Sequence, residues 1–231
     1  MPVRLDTSSA DFEPRFTQFL AAKREVSADV ERATRAIVDD VAARGDTALL
    51  EATKKFDRLD LDAAGLRVTA AEIDAALKAS DAATLDALKF ARDRIELFHQ
   101  RQLPKDERFT DALGVELGWR WSAVDAVGLY VPGGTAAYPS SVLMNAVPAR
   151  VAGVPRVVMV VPSPDGKLNP LVLAAAHLGG VSEIYRVGGA QAVAALAYGT
   201  ATIAPVAKIV GPGNAYVAAA KRQVFGRSAS T

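Results

Sequence analysis

The chain has 231 residues, half of them hydrophobic, and a formal net charge of +1. A nearly neutral chain gives no electrostatic reason to bind nucleic acid or an anionic membrane surface, since both need clustered Lys and Arg. The lack of cysteine excludes disulfides, thiolate catalysis and cysteine metal sites, and two histidines argue against an all-histidine zinc site within one chain.

No apolar run reaches the ~18–20 residues of a membrane span. Residues 1–19 mix charged and apolar side chains and lack the continuous apolar core of a signal peptide. We therefore expect a soluble, cytoplasmic protein that binds neither nucleic acid nor membrane.

Residues 1–102 are predicted to form a helical arm and part of the first domain, because apolar residues recur at three- and four-residue steps. Helix starts are predicted at the N-cap candidates Ser27, Asp46, Thr69, and Ser80 or Asp81, and Thr69 forms a capping box with Glu72. Gly45 is predicted to end the first of these helices. The carboxylates of the arm are interpreted as solvated surface: Asp39, Asp40, Asp57 and Asp60.

Residues 103–125 are predicted to hold a polar connection and one strand of a β-hairpin. Apolar side chains alternate with polar residues or glycine at Val115, Leu117, Trp119 and Trp121, which is the period of a half-exposed strand. We expect this strand to pair with the residues that follow it. The two tryptophans are interpreted as a local hydrophobic cover, with cofactor stacking as the less favoured alternative.

Residues 126–226 repeat a strand, a turn and a helix four times. The predicted strands are 126–131, 156–161, 182–187 and 206–210, and the predicted helices are 141–151, 170–179, 190–198 and 214–224. This alternation predicts the α/β class: an incomplete Rossmann-like parallel sheet of βα repeats with right-handed crossovers, preceded by the helical N-terminal arm. Residues 227–231 are interpreted as a small polar tail at a truncation point.

The four turns are predicted to lie at the carboxyl edge of one sheet, where open α/β sheets bind ligands. Glycines there let the backbone approach a ligand, and the following helix N-termini favour anions. However, no Gly-x-Gly-x-x-Gly occurs and no acidic residue ends the second strand, so the usual dinucleotide fingerprint is absent. The alternative is that these glycines only permit tight turns.

Three polar side chains are candidates for binding a nucleotide-like ligand at these turns. Tyr130 ends the first strand, where its ring could stack on a base or ribose and its hydroxyl could bond a ribose. Gln191 opens the third helix and can donate and accept. Asn214 follows the Gly-Pro-Gly turn and has capping alone as its alternative role. No nucleophile elbow or Walker lysine accompanies them, so the pattern shows a binding half and no catalytic half.

Three turn motifs resemble those of the histidinol dehydrogenase family: residues 127–134 (VGLYVPGG), 187–192 (VGGAQA) and 211–215 (GPGNA). The resemblance runs from about residue 26 to residue 225. It implies NAD binding at Tyr130, Gln191 and Asn214. The cleft-lining prolines that it implies are Pro132, Pro162 and Pro212.

The resemblance also implies an activity: NAD-dependent oxidation of L-histidinol to L-histidine through L-histidinaldehyde, the last step of histidine biosynthesis. The family is expected to act as a homodimer with active sites shared between subunits. A zinc ion positions the substrate, and a Glu-His pair does the acid–base work. The family's zinc ligands and this pair lie C-terminal to the Gly-Pro-Gly-Asn helix, so we expect no catalytic residue and no metal ligand in this chain.

From that placement we expect the chain alone to lack catalysis, and residues 228–231 not to match the family. The alternatives are a related NAD-dependent polyol dehydrogenase, a non-catalytic NAD-binding or dimerisation module, and a purely structural α/β domain.

Overall fold

The computed structural model describes residues 3–24, 28–133 and 138–230. The described residues among the first hundred form five α-helices: α1 (Phe12–Arg24), α2 (Ala28–Arg44), α3 (Asp46–Asp57), α4 (Ala70–Ala79) and α5 (Ala82–Gln100). Thr69 and Glu72 form the predicted capping box of α4, and Asp81 accepts the Thr84 N–H at the start of α5. The predicted cap Ser27 lies outside the described residues.

The expectation that Asp46 caps α3 is wrong. The N-cap is Gly45, whose φ of 57° places it in the left-handed region that glycine adopts without steric cost. Asp46 is the first helical residue, and its carboxylate accepts a hydrogen bond from the Thr202 hydroxyl at 2.8 Å. The side chain therefore ties the arm to a distant loop instead of satisfying its own helix end.

The tryptophan strand does form a hairpin, but with the segment before it. Strand β1 (Glu107–Thr110) pairs antiparallel with β2 (Glu116–Trp119), so the expected pairing with the following residues is wrong. Asp111 accounts for the direction, because its carboxylate accepts the backbone N–H groups of Leu113 and Val115 and closes the turn. Trp119 and Trp121 are 49% and 59% exposed in this structure.

Five parallel strands form one sheet in the order β5-β4-β3-β6-β7: β3 (Ala126–Tyr130), β4 (Arg156–Val160), β5 (Glu183–Tyr185), β6 (Lys208–Val210) and β7 (Ala229–Ser230). The connecting helices are α6 (Pro139–Val151), α7 (Pro170–Gly179), α8 (Gly189–Tyr198) and α9 (Ala215–Gln223). The α/β class and the parallel, Rossmann-like sheet are confirmed.

Strand β7 corrects the expectation of a tail at 227–231. The Ala229 N–H donates to the Ala207 carbonyl at 3.0 Å, and the buried Ser228 hydroxyl donates to the Val206 carbonyl at 3.0 Å. These residues are small and polar, so their composition resembled a tail. Pairing along β6 turns them into an edge strand.

The helices cover both faces of the sheet, and the arm packs on both layers. Helices α4 and α5 pack on α6 and α7, whereas α2 and α3 pack on α8, and α2 also packs on α9. One core cluster joins Val38 and Leu49 of the arm to Val158 of the sheet, and the other joins Ala76 to Leu129. The helical arm therefore shares its core with the sheet.

The strand order has a reversal point. From β3 the chain runs outward through β4 to β5, then returns to the other side of β3 with β6. In such sheets the loops diverge between the two central strands and leave a crevice at their carboxyl ends. Here the diverging loops are those that follow Tyr130 and Val210.

Candidate functional site

A cleft of about 1060 Å³ opens at that crevice. Its floor is formed by the turns after β3, β4, β5 and β6, and its wall by the cleft-facing residues of α2 and α3. The structure brings all six predicted binding residues to this cleft: Tyr130, Pro132, Pro162, Gln191, Pro212 and Asn214. Their contact with a cofactor stays a prediction.

The turns pack closely around Pro162. A Cβ at Gly188 would overlap the Pro162 ring, and a Cβ at Gly133 would overlap its carbonyl oxygen. Gly211 has a φ of 103°, and a Cβ there would overlap the Tyr130 carbonyl. These glycines are therefore needed for the packing of the turns, whatever the cleft binds.

Tyr130 lies at the base of the cleft, where its hydroxyl accepts the backbone N–H of Gly189 at 3.0 Å. Its ring is only 3% exposed, so it has no open face for a base, and the stacking role considered from the sequence is not supported. Burial raises the pKa of the Tyr130 phenol, partly opposed by the Gly189 N–H. The side chain therefore offers a neutral hydroxyl that can donate to a ligand.

Gln191 and Asn214 present amide groups from the first turn or N-cap of two helices. Gln191 is 1% exposed, and its amide makes no hydrogen bond within the described part of the chain. Asn214 is exposed and accepts the Val217 N–H at 3.1 Å as the N-cap of α9. Capping uses only the side-chain oxygen of Asn214. The capping role predicted as an alternative is therefore compatible with ligand contact through the amide N–H₂ group.

Asp57 is the cleft residue that the sequence analysis misplaced. It was interpreted as solvated surface, but the structure buries it at the end of α3, within the cleft wall. Burial raises the pKa of the Asp57 carboxyl, while the Ser163 backbone N–H and the charge of Arg58 partly lower it. Its Oδ2 atom has no hydrogen-bond partner among the described residues.

An ion pair fixes the end of α3 that carries Asp57. Arg58 donates twice to the Asp165 carboxylate, at 2.8 Å each, and so joins α3 to the turn after β4. Both residues have positive φ, 53° and 55°, a left-handed conformation that side chains other than glycine adopt at a cost. No local pattern indicated this contact, since the surrounding residues 54–58 (KKFDR) are typical of an exposed helix end.

Lys55 and Phe56 complete the wall beside Asp57. Phe56 is 48% exposed, and the Lys55 ammonium lies 5.3 Å from its ring centre. The cleft thus combines an aromatic face, a cation, a carboxylate and the amides of two helix starts. These groups match the parts of a nucleotide: base, phosphate and ribose hydroxyls.

A metal site within the described residues would need several ligating side chains close together. Within residues 3–24, 28–133 and 138–230, no three His, Asp or Glu side chains come together as a possible metal site. His177 is exposed on α7, outside the cleft lining. In that same part of the chain, no helix has the length and apolar character to cross a membrane.

A parallel sheet with helices on both faces and a cleft at its reversal point defines a Rossmann-like α/β protein. Residues 20–230 match the family model described as histidinol dehydrogenase. The chain belongs to the histidinol dehydrogenase family, a family of oxidoreductases. The match includes residues 228–230, so the expectation that this segment departs from the family is wrong.

Named relatives agree with the family model. The chain is 84% identical over 227 residues to a histidinol dehydrogenase of Bradyrhizobium diazoefficiens and 80% identical over 227 residues to one of Rhodopseudomonas palustris, covering 98% of this chain and 53% of each relative. The crystal structure of histidinol dehydrogenase from Elizabethkingia anophelis superposes with a TM-score of 0.84 at 34% identity, over 88% of this chain and 47% of that one. The chain therefore spans about half the length of these relatives.

Proposed function

We propose that this chain supplies the NAD-binding part of an enzyme that oxidises L-histidinol to L-histidine through L-histidinaldehyde, the last step of histidine biosynthesis. Family membership supports the reaction, and 84% identity to a relative named histidinol dehydrogenase favours histidinol over another polyol. The observation that carries the cofactor assignment is the single cleft lined by Tyr130, Gln191 and Asn214.

The residues of the cleft fit NAD. Its volume of about 1060 Å³ lies just above the ~300–1,000 Å³ typical of ligand sites, which suits an extended dinucleotide. The Asp57 Oδ2 atom is a buried polar group without a protein partner within the described ranges, and the Gln191 amide borders the cleft. Bound NAD would supply the hydride acceptor, while the neutral Tyr130 hydroxyl and the two amides hold its polar groups in place.

Zinc does not fit the described residues, since they bring no ligand set together. The resemblance assigns the zinc ligands and the Glu-His pair to a part of the family that lies beyond this chain, so we propose no catalytic step for its residues. We expect no histidinol turnover from the chain alone. The homodimer with shared active sites and the cytoplasmic location likewise stay predictions from the resemblance and the composition.

Gln191→Leu tests the cofactor assignment. Leucine fills a similar volume but cannot bond a nucleotide, so we expect NAD affinity, measured by isothermal titration calorimetry, to fall about tenfold, the equivalent of ~1.4 kcal/mol. Stability should be equal or higher, because a buried amide without a partner is removed.

The matched control is Gln18→Leu on the exposed face of α1, which should leave NAD affinity unchanged. If the unsubstituted chain shows no heat of binding with NAD, or if Gln191→Leu binds NAD as tightly as that chain, the cofactor assignment is wrong.

A further inference from the structure

The sheet lacks an acidic residue where dinucleotide-binding folds usually need one. In these folds a carboxylate near the end of the second strand accepts a hydrogen bond from the ribose 2′-hydroxyl. Here the second strand, β4, ends at Val160 and continues as Val161, Pro162 and Ser163. The strand itself therefore offers no acceptor side chain for a ribose.

The arm brings a carboxylate to this place. The Asp57 carboxyl lies against the backbone N–H of Ser163, the third residue after β4. Two hydrogen bonds from Arg58 to Asp165 hold the end of α3 to the same loop. A residue remote in sequence thus occupies the position of the missing strand-end acid.

One oxygen of the Asp57 carboxylate has no protein donor among the described residues. The side chain is 8% exposed and borders the cleft, and its Oδ2 has no donor among the described residues. A buried carboxylate oxygen without a donor costs free energy, and a ligand hydroxyl at the cleft wall would satisfy it once the carboxylate turns toward the cleft that it borders.

We propose that Asp57 accepts a hydrogen bond from the 2′-hydroxyl of the adenosine ribose and thereby selects NAD over NADP. This inference rests on the proposed NAD-binding function. A 2′-phosphate would place added negative charge against the carboxylate, and like charges in contact cost several kcal/mol. The adjacent guanidinium of Arg58 cannot easily offset this charge, because it is engaged by Asp165.

The test is titration of NAD and of NADP into the chain carrying Asp57→Asn or Asp57→Ser, with the unsubstituted chain as reference. We expect the reference chain to bind NADP at least ~100-fold more weakly than NAD, equivalent to ~2.8 kcal/mol. Either substitution should weaken NAD about tenfold and strengthen NADP, so that the preference for NAD falls by more than tenfold.

The matched control is Asp39→Asn, which removes one negative charge from an exposed position on α2 outside the cleft lining, and should keep the preference unchanged. Circular dichroism checks that each variant is folded. If Asp57→Asn is not folded, the comparison is made with Asp57→Ser. A merely structural role would weaken both nucleotides alike.

The outcomes separate the two proposals. If the reference chain binds NAD but the Asp57 variants keep the same preference, the ribose assignment is overturned and NAD binding stands. Equal binding of NAD and NADP by the reference chain also overturns the ribose assignment. If the reference chain binds neither nucleotide, both proposals fail.

Discussion

Asp57 is held in a place that disfavours its charge. Burial raises the pKa of its carboxyl above the usual value of 3.8, so the folded state binds a proton more readily than the unfolded state. As pH rises from 3.8 through the raised pKa, the folded state loses stability, and above that range the loss is constant. At neutral pH, the charged side chain therefore destabilises the fold.

Asp57→Asn should consequently stabilise the chain at pH 7, by about 1 kcal/mol for removal of a poorly paired buried charge. The gain should shrink as pH falls through the raised pKa toward 3.8, since both proteins are then neutral at this position. Urea unfolding across this pH range measures the difference. If Asp57→Asn is less stable than the unsubstituted chain at pH 7, and the difference in unfolding free energy does not change with pH, the carboxylate is not destabilised by its burial.

Some cleft residues could be predicted from the sequence, and others could not because their position depends on contacts between distant segments. Tyr130, Gln191 and Asn214 were predictable because each sits at a turn whose position follows from the strand and helix pattern. Asp57 was not, because its burial depends on contact between segments 107 positions apart, at the Arg58–Asp165 pair. Its own neighbours are charged and typical of solvent-exposed surface.

At the scale of elements, the capping box of α4 links local and tertiary structure. The Thr69 hydroxyl accepts the Glu72 N–H, while the Glu72 carboxylate accepts the Thr69 N–H at 2.9 Å. The same carboxylate also accepts two hydrogen bonds from Arg186, after β5. The cap thus sets the start of α4 and its attachment to the sheet.

Thr69→Ala should destabilise the chain by about 1 kcal/mol, the usual effect of losing an N-cap side chain. Denaturant unfolding measures this change, and Thr69→Ser should restore most of it. NAD affinity should stay unchanged, because Thr69 does not line the cleft. A Thr69→Ala protein as stable as the starting chain would show that the cap does not contribute.

Elements with local signals were predictable, and elements defined by partners were not. The caps at Thr69 and Asp81 and the four βα units follow from short-range chemistry. Strand β2 was expected to pair with the residues after it, because its actual partner β1 is rich in charged residues (ERFT) and has the composition of a loop. Strand β7 has two residues, too few for a periodic pattern, and exists only through its pairing with β6.

At the scale of the whole molecule, the arm and the sheet form the cleft together. The sheet supplies the turns of the cleft, and α2 and α3 supply its wall, so the cleft is complete when the arm is packed in place. Occupying the cleft should therefore stabilise the arm and the sheet together. Zinc has no comparable site within the described residues.

The most direct test of this account is thermal unfolding of the chain with millimolar NAD, and separately with zinc. A ligand that binds only the folded state adds about 2.7 kcal/mol at a hundredfold excess over Kd, which raises the Tm by ~5–10 °C for a chain of this size. The account predicts such a rise with NAD and none with zinc. No rise with NAD, or a rise with zinc, would contradict it.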